Sequence, residues 1–226
     1  MIKFENVTKI FPGDFVALEE INLSIEDGEF VSIVGQSGAG KSTLLKLIYA
    51  EEIPTEGEVY FKDRAISSIK RRLLPYFRRN IGTVFQDFKL LHKKTVFENV
   101  AYALEVAGEK DEIISERVPE ILDLVGLSGK MEKYPMQLSG GEQQKVSMAR
   151  ALVSKPMVIL ADEPSGNLDP ISTWEIMQLL LKINSLGTTV ILATHNKETV
   201  DKLRKRVITL ENGRVARDEK HGKYVL

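Results

Sequence analysis

The chain has 226 residues, 43% apolar and 28% charged, with a formal net charge of −1 and no cysteine. That composition suits a globular protein with one sizeable core, or a core carrying an inserted lobe, and excludes a disordered chain. It offers no basic footprint for nucleic acid, and the missing cysteines remove disulfides, thiolate metal sites and thiol nucleophiles. No stretch approaches ~18 consecutive apolar residues, and MIKFENVTKIF at the amino terminus lacks the apolar run of a secretory signal, so direct membrane insertion is not expected.

Taken in chain order, Ile2–Phe4, Leu23–Ile25 and Val59–Phe61 read as short strands bounded by turn residues such as Asp27-Gly28 and Pro54–Gly57, which predicts an antiparallel edge region. Phe30–Val34 is a short, partly β-branched apolar run of the kind that forms a buried parallel strand. It leads directly into Gly35, Gln36, Ser37, Gly38, Ala39, Gly40, Lys41, Ser42 and Thr43, followed by the helical pattern LLKLIYA. Strand, glycine-rich loop and helix in this order form a phosphate-binding P-loop. The glycines let backbone N–H groups converge on phosphate oxygens, and the helix start adds partial positive charge. Lys41 would reach the β and γ phosphates of ATP, and the Ser42 hydroxyl would ligate Mg²⁺.

From about 95 to 154 the apolar residues recur at helical spacing: Ile114, Val118, Ile121, Leu122 and Val125 share one face, and Val146, Ala149, Leu152 and Val153 share another. Within this helical lobe LSGGEQQ, from Leu138 to Gln144, places a second glycine-rich loop before a helix. Ser139 and Glu142 have the spacing of a capping box. A capped helix that binds nothing accounts for those two residues but not for Gly140 and Gly141 between them, which cost helix stability. The alternative is a second anion cradle, useful on the far side of a triphosphate and supplied by another copy of the chain in a head-to-tail dimer that sandwiches ATP.

Met157–Ala161 and Thr189–Ala193 read as further parallel strands. The first runs into Asp162 and Glu163, which strand alternation would place on opposite sides of the pleat. In isolation they read as two solvated acids. Beside a P-loop, Asp162 is assigned to Mg²⁺ through a bound water, and Glu163 to orienting and deprotonating the attacking water. Asp169-Pro170 has the character of an N-cap and first helical residue for a helix through Trp174, Ile176, Leu179 and Ile183. Arg206–Glu211, Asn212-Gly213 and Arg214-Val215 predict a hairpin with a type I′ turn.

GQSGAGKST, LSGGEQQ, VILADEP and SGNLD together resemble the ATP-binding subunit of ABC transporters, over essentially the whole chain. The resemblance implies an α/β fold: a P-loop NTPase core with a parallel sheet, an antiparallel β subdomain and an inserted α-helical subdomain. It implies a single ABC ATPase domain over 1–226, with a core lobe of about 1–86 and 155–226 and a helical lobe of about 87–154. It makes Gln86 the residue that senses Mg²⁺ and the attacking water, and His195 the histidine that touches the γ-phosphate. Ser165, Gly166, Asn167, Leu168 and Asp169 become a loop crossing the dimer interface. Phe11 falls where adenine stacks; tyrosine is commoner there, and Phe11 as plain core is the alternative. His195 alone also reads as an ordinary strand-end histidine, and Asp169 as a structural cap.

Arg78–Val100 and DEPSGNLDP resemble the cell-division branch of the family, with lipoprotein-releasing and macrolide-exporting cassettes as the alternative. The chain's end soon after the hairpin, at HGKYVL, speaks against importers with an added regulatory domain. The expected place is the cytoplasmic face of the inner membrane, bound peripherally to an integral-membrane subunit and to no nucleic acid. From Lys62 to Lys94 ten basic residues (62, 64, 70, 71, 72, 78, 79, 89, 93, 94) stand against Asp63 and Asp87. That segment, with Phe88, Leu90 and Leu91, reads either as a docking face for the membrane subunit and an anionic bilayer or as solvated surface. Two other classes fit less well. Soluble ABC proteins of DNA repair or translation usually carry paired cassettes or long inserts, and a scaffold that only binds ATP would lack Glu163 or His195.

Overall fold

The structure, a computed structural model, describes residues 1–220 and Gly222; the closing segment HGKYVL, Gly222 apart, lies outside the described residues. In chain order the elements are β1 (Ile2–Phe11), β2 (Phe15–Ile25), β3 (Phe30–Val34), α1 (Lys41–Ile48), β4 (Glu56–Phe61), β5 (Arg64–Ala65), α2 (Leu74–Arg78), β6 (Ile81–Phe85), α3 (Val96–Ala107), α4 (Asp111–Leu124), α5 (Gly140–Leu152), β7 (Val158–Asp162), α6 (Pro170–Ser185), β8 (Thr189–Ala193), α7 (Lys197–Leu203), β9 (Arg206–Glu211) and β10 (Arg214–Glu219). They belong to two compact units, Met1–Arg78 with Asn184–Leu226, and Arg79–Ile183.

The first unit holds an antiparallel sheet in the order β2-β1-β4-β5. Its strands are much longer than Ile2–Phe4 and Leu23–Ile25, the parts readable from sequence. The reason is local: β1 and β2 shift register between Phe4 and Val7 and again around Lys9, and Asn6 and Glu20 take positive φ angles of 48° and 50°. Such bulges break the two-residue alternation by which a strand is recognised, without ending the pairing. In the second sheet of this unit β3 lies between β8 and β9, parallel to both, and β10 pairs antiparallel with β9. Every residue of β3 and β8 is buried, as expected of parallel strands covered on both faces. Asn212 and Gly213, at φ 47° and 77°, make the predicted turn between β9 and β10.

The second unit pairs β6 with β7 in parallel, Ile81 opposite Val158 through Phe85 opposite Asp162. The sequence reading has no strand at β6, because Gly82 and Thr83 dilute an apolar run of only five residues. Gly82 sits where the end of α5 crosses the strand: a Cβ there would lie 2.6 Å from the Ala151 carbonyl oxygen. The helices bury the faces that the spacing predicts. Val118 and Leu122 of α4 and Val146 and Ala149 of α5 are completely enclosed, and each of the larger ones contributes about 1.5–3 kcal/mol of transfer free energy. α3 begins at a Thr95–Glu98 capping box and ends at left-handed Gly108. Fully buried Asn99 ties down the preceding loop, donating to the carbonyls of Leu91, Lys94 and Thr95 and accepting from the Leu91 amide. Among the described residues, no helix is long and apolar enough to cross a membrane.

Candidate functional site: two loops at helix starts

In the first unit β3 delivers the chain into the loop Gly35–Gly40. Gly40 adopts φ 101°, and a Cβ there would meet the Ala17 carbonyl oxygen at 2.6 Å and Leu18 Cδ2 at 2.7 Å, so β2 closes in on the loop from behind and only glycine fits. α1 starts with no side-chain cap on its amides. Lys41 is buried to 7% exposure and its ammonium donates to the carbonyls of Gly35 (2.9 Å) and Gln36 (3.1 Å), which holds the cation beneath the loop. Gln36, Ser37, Gly38 and Ser42 are exposed, Thr43 is half-buried and Ala39 is buried. A cleft of about 440 Å³ opens onto this loop, lined also by Phe15 and by Leu210–Asn212.

Phe11 is half-buried rather than core, and the Lys9 ammonium lies 4.9 Å from its ring centroid. The aromatic that lines the cleft is Phe15, 59% exposed, which the sequence reading passed over. A lone phenylalanine after Pro12-Gly13-Asp14 carries no signal separating it from an ordinary strand start. His195 is exposed at the end of β8. The turn carrying it is fixed by Thr194, whose hydroxyl accepts from the Asn196 amide, and by Asn196, whose side chain accepts from the Thr199 amide to cap α7. Ile33 pairs with Ala193, so the loop and His195 leave the same end of adjacent parallel strands, where α/β proteins place ligands.

The second unit gathers the other candidates. Phe85 is opposite Asp162, so Gln86 and Glu163 leave neighbouring strands at the same end. Asp162 closes β7 and Glu163 takes φ 46°. Glu163 therefore lies past the strand end, in a left-handed turn, where the alternation expected from sequence does not extend. A bulky residue held there stores strain of the kind found at functional sites. Gln86 donates to the Asn167 side chain at 3.3 Å, and Gly166 lies against it. Ser165 is buried, Gly166 and Asn167 are exposed and Leu168 is half-buried. The Asp169 carboxylate accepts from the Ile171 and Ser172 amides, both at 3.0 Å, and caps α6. The Ser172 hydroxyl and these amides hold that carboxyl below its ordinary range.

Ser139 starts α5 with a complete capping box: its hydroxyl accepts from the Glu142 amide at 3.3 Å, and Glu142 accepts from the Ser139 amide at 2.9 Å. Lys130 pairs with Glu142 and, ahead of the Ser139 amide, holds its carboxyl below the ordinary range. Gly141 has a packing reason that sequence could not supply, since a Cβ there would lie 2.8 Å from the Ser172 hydroxyl. Gly140 is looser, with Leu168 at 3.3 Å from the corresponding position. Sequence reasoning also missed Gln144 and Arg150, which bond to backbone carbonyls beside Gln86 and Glu163. Their signal was hidden in an ordinary helical pattern.

A P-loop on a parallel strand, an acid pair on another and a capped glycine loop at a helix start define an ATP-binding cassette. Residues 18–166 match the family described as ABC transporter, and the chain belongs to that family and is an ABC-type ATPase whose nucleotide is ATP. It is 54% identical, over 99% of its length and 98% of the relative's, to the cell division ATP-binding protein FtsE of Bacillus subtilis (strain 168). To the proteins of that name from Mycobacterium tuberculosis (strain ATCC 25618 / H37Rv) and Escherichia coli (strain K12) it is 50% and 46% identical, covering 99% and 94% of this chain and 98% and 96% of theirs. Among solved structures, the dimeric post-hydrolysis state of the ATP-binding cassette MJ0796 bound to ADP and Pi superposes with a TM-score of 0.87 at 40% identity, covering 99% of this chain and all of that one. CbiO1 of Clostridium perfringens gives 0.90 at 32% identity, covering 97% of this chain and 88% of that one.

Proposed function

We propose that this chain is the ATP-binding and hydrolysing subunit of an FtsEX-type complex, in which ATP-driven closure of a head-to-tail dimer moves an FtsX-type integral-membrane subunit and thereby regulates peptidoglycan hydrolysis in cell division. The observation that carries this reading is the 54% identity to a cell-division cassette over nearly all of both chains. The dimer rests on the MJ0796 cassette, which its structure's description gives as dimeric with ADP and Pi. In this reading the whole of 1–226 is one ABC ATPase domain at the cytoplasmic face of the membrane, held there through its partner.

Gly35–Thr43 is the proposed cradle for the triphosphate, with Lys41 balancing its charge, and Phe11 the proposed stacking surface for adenine. Glu163 takes a proton from the attacking water, Gln86 and His195 orient that water and the γ-phosphate, and Ser139–Glu142 meets the nucleotide held by the other copy. Ser165–Asp169 lines the dimer interface. The resemblance assigns Mg²⁺ to Ser42, to Gln86 and, through water, to Asp162, oxygen donors of the kind this ion takes. Among the described residues no three His, Cys, Asp or Glu side chains form a cage of their own. Mg²⁺ characteristically takes one or two protein ligands and completes its shell with waters and phosphate oxygens. When bound it neutralises charge on those oxygens.

For membrane docking, Leu90 is unavailable because it is buried in its own unit at 7% exposure, which leaves half-buried Phe88 and Leu91. The basic residues around them are exposed except for half-buried Lys94. Tagged chain recovered from its native host is expected to bring down an FtsX-type subunit, and recovery of a lipoprotein-releasing or exporter-type subunit instead would replace the reading. Phe88→Ala with Leu91→Ala is expected to weaken that recovery while leaving ATP binding intact; unchanged recovery refutes the docking role.

A further inference from the structure

Two side chains of α5 reach backbone that flanks the residues assigned to chemistry. Gln144 is fully buried, and its amide nitrogen donates to the carbonyls of Phe85 at 3.1 Å and Pro164 at 2.7 Å. These carbonyls stand directly before Gln86 and directly after Glu163. Two carbonyl acceptors fix the orientation of the amide, and its oxygen is then left buried with no donor among the described residues. A buried acceptor without a partner is a cost that leucine or methionine would avoid. Only the two donations explain an amide at this position.

Arg150, farther along α5, donates from Nη1 to the Lys89 carbonyl at 2.7 Å and from Nη2 to the Phe88 carbonyl at 2.9 Å. Phe88 and Lys89 are consecutive residues in the left-handed region, at φ 56° and 51°, which bulky side chains adopt only when their surroundings hold them there. A planar guanidinium spans two neighbouring carbonyls where an ammonium acts as a point charge. Burial pushes this guanidinium below its ordinary value, a cost accepted for the contact.

We infer that Gln144 and Arg150 are positioning residues of the ATPase: they tie Phe85–Lys89, which carries Gln86, and the backbone following Glu163 to the same helix that Ser139 starts. Gln86, Glu163 and the Ser139 loop then answer to one rigid element within the second unit, so displacement of the Gln86 segment is passed to the acid and to the helix start. This rests on the ATPase reading above.

The test uses the full chain with two substitutions. Gln144→Met keeps length and apolar volume but loses both donations; Arg150→Lys keeps the charge but loses the fork. In nucleotide-free protein, hydrogen exchange is expected to accelerate at 85–91 and 163–168 in Gln144→Met and at 85–91 alone in Arg150→Lys, with 35–43 unchanged. With ATP and Mg²⁺, Gln144→Met is expected to lower kcat about tenfold with KM within about twofold, a split that general destabilisation would not produce. In a Gln86→Ala background its effect shrinks to below about twofold, because the group through which it acts is gone. Unchanged exchange at both segments, or the same loss with and without Gln86, overturns the inference. If Gln144→Met shows no cooperative thermal transition, Arg150→Lys decides by the same readings. Exchange as expected in a chain that binds ATP without hydrolysing it supports the bracing and overturns the ATPase reading instead.

Discussion

The two glycine-rich loops look alike in sequence and differ in what their helix starts leave available. α1 opens with no side-chain cap, and the Lys41 ammonium is buried under the loop on the carbonyls of Gly35 and Gln36. α5 opens with a side-chain cap: the Ser139 hydroxyl accepts from the Glu142 amide, Glu142 accepts from the Ser139 amide, and Lys130 pairs with Glu142. One Gly141 contact is accounted for within the unit by Ser172. On the proposed reading, the first start receives the triphosphate and the second is presented, already capped, to a nucleotide held by another copy. Similar composition yields an uncapped helix start over a buried lysine in one case and a side-chain-capped start in the other.

The sharpest way to separate these roles is to stop turnover without touching either loop. Glu163→Gln is expected to cut the rate of hydrolysis ~10²–10⁴-fold while ATP still binds and dimer accumulates on a sizing column. Normal hydrolysis by this variant would show that another group is the base. Lys41→Ala strikes the receptor, and ATP affinity measured by titration should fall at least about tenfold, the loss of one charge-assisted contact. An affinity within twofold of wild type would break the comparison.

Ser139→Ala strikes the presented loop. Monomer affinity for ATP should stay within about twofold while the melting temperature drops about 2–4 °C for ~1 kcal/mol of lost capping. Turnover at saturating ATP should fall with it, and an unchanged turnover would count against the second contact. The smallest effect concerns Glu142. Its carboxyl is held below the ordinary value, so its contribution to stability is present above the unfolded value of about 4.3 and disappears as pH falls through the lower folded value. Melting temperature measured from pH 6 down to pH 3 should fall less steeply in Glu142→Gln, which keeps the capping geometry without the charge; parallel curves would remove Glu142 from the account.

The sequence was most legible where one local pattern determines the structure. Phe30–Val34 is buried at every position, and its apolar run followed by Gly35–Thr43 admits few readings. The Asn212-Gly213 turn likewise follows from positive φ at both residues. Legibility failed where pairing or packing from distant residues decides. β1 runs past Asn6 only because bulges restore its partners, and β6 survives Gly82 because α5 needs the space. Glu163 sits in a left-handed turn just past the strand end, which no alternation rule contains. Gln144 and Arg150 were illegible for a different reason. Their acceptors are backbone carbonyls, and a carbonyl has no letter in the sequence.

Since the chain contains no cysteine, the central claim can be tested with a single engineered pair. In Glu163→Gln, Ser37→Cys and Ser139→Cys introduced together should form a disulfide between two copies, under a mild added oxidant, when ATP is present and not with ADP or without nucleotide. A pair that never forms, or forms equally without nucleotide, would contradict a triphosphate held by Lys41's loop and met by the partner's helix start.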